Sequence, residues 1–268
     1  MELTVLGMNG PFPAANGATS GYLMRGEKTR VVMDMGSGTL GRLTALMPPE
    51  KLDALLLSHW HFDHCSDVLP LLFRLQACAA KPLDVYAPVD ESSMVRKMVR
   101  QSGAFCLHDV QKDDEVQLGE FSVRVFAARH PVPGVMYRVT DGEKTLCYTG
   151  DTNTVEGLTD FAQDADLLLA DGLFPTEMWQ EGLPHLSAAQ TAFHNVLKLA
   201  GIVSRRSLVG HFKVRFNDIV DITQYHCGTL LNAFRRSEVQ LTLGFCNPRL
   251  DRTRVNGVLY LVSADVGE

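Results

Sequence analysis

The sequence predicts an α/β fold in a single domain over residues 1–268, with two mixed β-sheets and helices on their outer faces. Both halves of the chain run through several strands, then a loop bearing His and Asp, and then helices. No shift of composition and no Ser/Gly-rich linker divides the 268 residues, a length compatible with one α/β domain. The same order of elements, twice in an undivided chain, indicates a pseudo-symmetric pair of sheets.

Apolar and alternating segments predict the elements of the first half. The predicted strands cover residues 2–6, 21–25, 30–34, 55–57 and 83–87. The predicted helices cover residues 41–47, 68–75 and 90–100. We expect Ser66 and Asp67 to cap the second of these helices and Asp90 to cap the third. Residues 34–39 lack the lysine and the spacing of a P-loop and predict a tight turn from strand to helix.

The second half opens with four segments of β-branched or alternating residues, which predict an antiparallel meander. These segments cover residues 115–118, 121–128, 135–140 and 145–148. Further strands are predicted at residues 167–170, 206–209, 239–243 and 257–262. Helices are predicted at residues 156–163, 187–200 and 218–234.

Composition restricts the function and the location. The net charge of -6 and the pI near 5.8 argue against a general nucleic-acid-binding surface. No apolar run is long enough to span a bilayer, and the N-terminal residues lack the pattern of a signal peptide. The six cysteines are dispersed, with no Cys-x-x-Cys pair, which indicates free thiols in a reducing cytoplasm.

The most informative stretch follows the strand at residues 55–57. His59, His61, Asp63 and His64 lie within six residues. In an extended segment the side chains of His59, His61 and Asp63 point the same way, and His64 lies where the chain must turn. Imidazoles and carboxylates crowded at the end of a strand predict a divalent metal site. Zinc suits these ligands best, and manganese or iron also suits a mixed N/O site.

Other potential ligands also follow predicted strands. His130 comes after residues 121–128, Asp151 after residues 145–148, and His211 after residues 206–209. His185 lies in a loop just before the helix predicted from residue 187. Because four separate strand ends carry such residues, the sequence predicts one shared site.

These motifs resemble the metallo-β-lactamase superfamily, over roughly residues 1–245. The motifs are His59-Trp-His-Phe-Asp-His, the downstream His130, Gly-Asp151-Thr and Gly-His211. Residues 17–22 and 33–38, and the loop His185-Leu-Ser-Ala-Ala-Gln, resemble the ribonuclease Z-like phosphodiesterase branch. The resemblance implies a four-layer αββα sandwich with the site at one edge between the sheets.

The resemblance also implies how the ligands divide between two metal ions. His59, His61 and His130 would hold the first ion. Asp63, His64 and His211 would hold the second, and Asp151 would bridge both. Two cations a few ångströms apart make hydroxide available near neutral pH and clamp the oxygens of a phosphodiester, while Asp63 can orient or deprotonate the attacking water.

The resemblance implies that His185 matches the histidine that, in this branch, assists the leaving group or stabilises charge on the phosphoryl oxygens. Its carboxylate partner would be Asp171, where the branch usually has glutamate. A carboxylate would fix the tautomer of the imidazole and favour its protonated form. The alternative is that His185 is an ordinary loop histidine and Asp171 a helix or turn cap.

Differences between this sequence and ribonuclease Z restrict the range of expected substrates. His130 and Asp151 are too close in sequence to hold the tRNA-gripping arm of ribonuclease Z, so tRNA is not expected as a partner. Lys213 and Arg215 are candidates to meet a substrate phosphate, or they form a solvated basic strand end. A homodimer is expected by resemblance alone.

The leading hypothesis is thus a dinuclear hydrolase of a small or cyclic phosphodiester. Two alternatives stay open: hydrolysis of a thioester, lactone, lactam or sulfate ester, and a non-catalytic ligand-binding member.

Overall fold

The computed structural model describes residues 1–173, 178–186, 213–216 and 258–262. The strands are β1 Glu2–Gly7, β2 Gly21–Arg25, β3 Arg30–Met35, β4 Ala54–Leu56, β5 Leu83–Pro88, β6 Phe105–Val110, β7 Glu115–Leu118, β8 Phe121–Ala127, β9 Val135–Thr140, β10 Thr145–Tyr148, β11 Leu167–Asp171, β12 Lys213–Phe216 and β13 Val258–Val262. The helices are α1 Thr39–Leu46, α2 Phe62–Cys65, α3 Val68–Ala77, α4 Met94–Gln101 and α5 Leu158–Ala162.

The strands of the described residues form two mixed sheets. The first has seven strands in the order β12-β1-β2-β3-β4-β5-β6, and β3 to β6 run parallel. The second has six strands in the order β13-β11-β10-β9-β8-β7. Within it β7 to β10 form the predicted antiparallel meander, and β10 pairs parallel with β11.

Three apolar layers hold the sandwich together. Between the sheets, side chains such as Tyr22 and Met33 of the first sheet pack with Phe121 and Tyr137 of the second. The other face of the first sheet packs against α1, α3 and α4, and the other face of the second packs against α5. The order helix, sheet, sheet, helix confirms the predicted fold class.

The structure corrects several local predictions. β6 was not predicted, because Cys106, His108 and Asp109 interrupt its apolar pattern. Helix α4 begins at Met94 rather than at residue 90, and Ser93 caps it by accepting a hydrogen bond from Arg96 N at 3.2 Å.

The predicted caps of α3 are also wrong. The side chain of Asp67 accepts a hydrogen bond at 2.8 Å from Leu40 N, in the first turn of α1, and makes no capping bond to α3. The hydroxyl of Ser66 makes no hydrogen bond in the described part of the chain. Asp67 therefore links the starts of two helices rather than capping its own.

Some predictions fall outside the described residues. These are the elements at residues 187–200, 206–209, 218–234 and 239–243. The strand predicted at residues 257–262 is confirmed as β13, and β12 is an additional strand that pairs parallel with β1. The single domain over residues 1–268 stays a prediction. In the described residues, no helix has the length and apolar character needed to cross a membrane.

Candidate metal centre

The candidate site lies at one edge of the sandwich, where strands of both sheets end. His59 follows β4 of the first sheet, while His130 follows β8, Asp151 follows β10 and Asp171 ends β11 of the second. A cavity of about 280 Å³ opens at this edge. Its polar lining includes His61, Asp63, His64, His130, Asp151, Asp171 and His185.

Three histidines meet at one side of the cavity. The Nε2 of His59 lies 3.0 Å from Nδ1 of His61, which lies 3.1 Å from Nε2 of His130. One atom from each of these rings and one oxygen of Asp151 lie within 4.8 Å of one another. Zinc bonds of about 2 Å place tetrahedral ligands roughly 3 to 4 Å apart, so this donor set fits a zinc ion.

A second cluster shares the same aspartate. His64 Nε2 lies 3.2 Å from Asp151 Oδ1 and 3.7 Å from Asp63 Oδ2. The other oxygen of Asp151, Oδ2, lies 3.8 Å from His59 Nε2. Asp151 thus presents one oxygen to each cluster, the arrangement that a bridging carboxylate requires.

A short helix positions two of these ligands, which corrects the expected alternation. The chain is helical from Phe62, and His64 N donates to His61 O at 2.9 Å. Asp63 therefore does not follow the period of an extended strand. The helical turn instead carries Asp63 and His64 into the second cluster.

Burial and neighbouring charges set the protonation of the ligands. Burial, followed by the nearby His64, holds the pKa of His59 well below its usual value, and burial lowers the pKa of His130 to about 4. Burial alone would lower the pKa of His64, but the carboxylates of Asp151 and Asp34 outweigh it and raise that pKa well above its usual value. Near neutral pH His59 and His130 are in the neutral form that binds a cation, whereas a proton competes for His64.

Asp34 is a further residue of the candidate site, and its contact with His64 was not predicted from the sequence. Its fully buried carboxylate accepts hydrogen bonds from Ser58 N at 2.7 Å and from Tyr148 OH at 2.5 Å, and pairs with His64 Nδ1 at 2.6 Å. This contact leaves His64 Nε2 turned toward Asp151. A positive φ of 54° turns the backbone sharply at Asp34, a conformation that aspartate tolerates better than most residues. Asp34 is therefore a positioning residue for His64.

His185 and Asp171 lie together beside these clusters. His185 Nδ1 lies 2.7 Å from Asp171 Oδ2 and 3.8 Å from Asp151 Oδ2. Burial opposes protonation of His185, but Asp171 outweighs it and raises the pKa of His185. The same oxygen of Asp171 accepts a hydrogen bond from Thr152 N at 3.0 Å, so the carboxylate is fixed in place. Asp171 therefore reaches the imidazole of His185, although its side chain is shorter than the glutamate usual at this position.

Asn153 holds the loop that carries His185. Its fully buried side-chain amide donates to the carbonyls of Gln180 at 3.1 Å, Glu181 at 3.2 Å and Leu183 at 2.5 Å. The amide oxygen accepts from Trp179 Nε1 at 3.2 Å. One side chain therefore pairs with four residues of the segment just before His185. No local pattern indicates this role of Asn153, because its partners lie 26 to 30 positions away in sequence.

Three candidate residues are not among those that the structure describes at the cavity. His211 lies outside the described residues. Lys213 and Arg215 lie on β12, where their backbone pairs with Glu2 and Thr4 near the start of β1. The cavity lies beyond the other end of β1, at Met8 and Asn9. A contact between these two side chains and a substrate phosphate stays a prediction.

The fold and the two ligand clusters define a class of metal-dependent hydrolases. Residues 29–212 match the Beta-lactamase superfamily domain, and the chain belongs to this family. It is a metal-dependent hydrolase of the ribonuclease Z-like branch, as the motifs predicted.

Among known proteins, the chain is similar to the probable metallo-hydrolase YhfI of Bacillus subtilis (strain 168). The two are 32% identical over 206 residues, covering 75% of this chain and 83% of the relative. The crystal structure of YhfI superposes with a TM-score of 0.65 over 69% of this chain and 77% of that one.

The chain is also similar to two proteins named as ribonuclease Z or tRNase Z. A ribonuclease Z of Methanopyrus kandleri is 30% identical over 140 residues, covering 52% of this chain and 50% of the relative. The short form of human tRNase Z has a TM-score of 0.63 over 74% of this chain and 88% of that one. At 19% identity it supports the fold alone.

Proposed function

We propose that this protein is a dinuclear metal-dependent phosphodiesterase acting on a small or cyclic phosphodiester. The observation that carries the proposal is the pair His185–Asp171, which lies in the same cavity as two ligand clusters sharing Asp151. Metal ligands alone are compatible with the hydrolysis of many bonds. A protonated His185 in the lining of the same cavity favours a substrate whose leaving oxygen must be protonated.

The two clusters would divide the ligands as the resemblance implies. His59, His61 and His130 would hold one ion, Asp63, His64 and His211 the other, and Asp151 would bridge them. The convergence of ring nitrogens and carboxylate oxygens supports this division, and zinc suits the donors best. Two bound cations would supply Lewis acidity at the phosphoryl oxygens and lower the pKa of the attacking water.

Two residues of the chain would each carry out one of the two proton transfers of the hydrolysis. The carboxylate of Asp63 orients the attacking water and accepts its proton. His185, held in its protonated form by Asp171, donates a proton to the leaving oxygen on the opposite side of the phosphorus. The distance of 3.8 Å from His185 Nδ1 to Asp151 Oδ2 supports a position next to the reacting group.

The size and surroundings of the cavity support a small substrate. A volume of about 280 Å³ suits a molecule of nucleotide size or smaller. Between His130 and Asp151 the chain forms only β9, β10 and their short connections, with no projecting arm. This argues against tRNA as the substrate. The cytoplasmic location and the homodimer stay predictions.

A substrate panel tests the reaction class. We expect the metal-loaded protein to cleave a phosphodiester in preference to a phosphomonoester, a thioester, a lactone, a sulfate ester and a β-lactam. His61→Ala and Asp151→Asn should each lower diester cleavage by about 100-fold or more, because the first removes a ligand and the second replaces one oxygen of the bridging carboxylate and removes its charge. Cleavage of a thioester or lactam without any diester activity would contradict the proposed substrate class.

A further inference from the structure

A second group of metal-ligand residues lies away from the cavity, on the edge of the first sheet. Asp84 lies on β5, and Cys106 and His108 lie on β6. One ligand atom from each of the three lies within 4.8 Å of the other two. In the parallel register Asp84 pairs with Cys106 and Tyr86 with His108, so the side chains share one face of the sheet.

The imidazole in this group is held in place. The ring of His108 stacks on Tyr86, with centroids 4.5 Å apart and an interplanar angle of 15°. Tyr86 itself packs against the core between the sheets. With the ring fixed by this stack, Nε2 of His108 lies 2.7 Å from Asp84 Oδ1. The strands and the tyrosine therefore set the direction of the potential ligands.

We propose that Asp84, Cys106 and His108 form a separate binding site for a borderline divalent cation such as Zn²⁺. A thiolate, an imidazole and a carboxylate are all zinc ligands, and bonds of about 2.0 to 2.3 Å fit a triangle of this size. The side chains of Asp84 and His108 are 47% and 39% exposed, so water can take the fourth position. Binding releases the proton of the thiol to solvent.

This site is separate from the catalytic centre. Asp84 pairs with Ala54, at the start of β4, whereas His59 follows the end of that strand. Among the described residues, β6 is the last strand of the first sheet and pairs with β5. A cation held by ligands from both strands would fasten this edge strand to its neighbour. The site thus has a structural role that does not depend on the reaction proposed above.

Cobalt binding distinguishes the two sites. The ligands of the catalytic centre are nitrogen and oxygen atoms, and the nearby Cys65 is a buried thiol that donates to Trp60 O at 3.4 Å. Co²⁺ added to chelator-treated protein should therefore give a thiolate-to-cobalt absorption band from the edge site. Cys106→Ser should abolish the band, and Zn²⁺ should displace it. Cys78→Ser, which changes another exposed thiol, should leave it unchanged.

A second variant tests the geometry. His108→Ala should weaken Co²⁺ binding, followed by the same band, by at least about tenfold. Diester cleavage and the circular dichroism spectrum should match those of the parent in the Cys106→Ser variant, because this residue is outside the catalytic centre. The absence of a band in the parent protein, or an equal band in Cys106→Ser, would overturn the proposal.

Discussion

His185 is the residue that most restricts the chemistry. The proposed metal ligands are compatible with the hydrolysis of several kinds of bond, but a histidine held 2.7 Å from a buried carboxylate is suited to protonating a poor leaving group. His185 makes this contact through Nδ1. Substrates with different leaving groups can therefore show whether His185 is a catalytic acid or an ordinary loop histidine.

His185→Ala should lower kcat for a diester with an alkyl leaving group by about 100-fold. The loss should be much smaller for a nitrophenyl diester, whose leaving oxygen needs no proton. Bound metal should be unchanged, and mass spectrometry of the purified variant checks this. Equal losses for both substrates would show that His185 is not the acid.

At the scale of elements, the loop before His185 depends on contacts from the segment that follows β10. Asn153 follows β10 by a few residues, and its amide pairs with four backbone or side-chain groups between Trp179 and Leu183. Without these contacts the loop would lose its main polar anchor. The position of His185 is thus coupled to the strand end that also carries Asp151.

Asn153→Ala should lower kcat by roughly tenfold, because a small displacement of His185 weakens proton transfer. The metal content should be preserved, and protease cleavage within residues 178–186 should become faster. Trp179→Phe is the matched control, since it removes one contact to Asn153 and should have a smaller effect. A variant with normal kcat and unchanged protease resistance would refute this positioning role.

Local patterns predicted much of the fold and part of the site. The ligands from His59 to His64 are adjacent in sequence, and the strands that lead to His130 and Asp151 are apolar or alternating. Asp34 was missed because its partners Ser58, His64 and Tyr148 are 24, 30 and 114 positions away. No local pattern records such pairings, so Asp34 was interpreted only as part of a turn.

Edge strands and short helices were missed for a different reason. In the described part of the chain β6 has a sheet neighbour on one side, so it tolerates polar residues such as Cys106 and His108 and lacks a strand pattern. Helix α2 has four residues, too few to show helical periodicity. In both cases the tertiary environment, rather than the sequence pattern, determines the local structure.

At the scale of the whole molecule, Glu120 links the two sheets away from the site. It lies in the turn between β7 and β8, and its carboxylate accepts hydrogen bonds from Lys28 N at 3.0 Å and Thr29 N at 3.2 Å, in the loop between β2 and β3. It also accepts a hydrogen bond from the hydroxyl of Thr29. Gly119 permits this turn, since its φ is 57° and a Cβ there would meet the Thr29 hydroxyl.

These hydrogen bonds lower the pKa of Glu120 to about 2, and the one from the Thr29 hydroxyl has the largest effect. Because the pKa is about 4.3 in an unfolded chain, the stabilisation is complete above that pH and is lost as pH falls toward 2. Glu120→Gln should therefore reduce the free energy of unfolding by about 1 kcal/mol at pH 7, and by less at pH 3. Urea denaturation measures both values.

The matched control is Glu115→Gln, which alters an exposed glutamate on the neighbouring strand β7. It should change stability little at either pH. A constant effect of Glu120→Gln from pH 7 to pH 3 would contradict the role assigned to this carboxylate.

The central claim is that two cations share Asp151 and that both are needed for hydrolysis. The most direct measurement is diester cleavage during titration of Zn²⁺ into chelator-treated protein, with bound metal counted by mass spectrometry. The titration uses the Cys106→Ser variant as the parent protein, so that metal bound at the edge site of Asp84, Cys106 and His108 is not counted. We predict that activity reaches its plateau when two ions are bound per chain and that Asp151→Asn fails to reach it. Full activity with one bound ion, or unchanged activity in Asp151→Asn, would contradict the account.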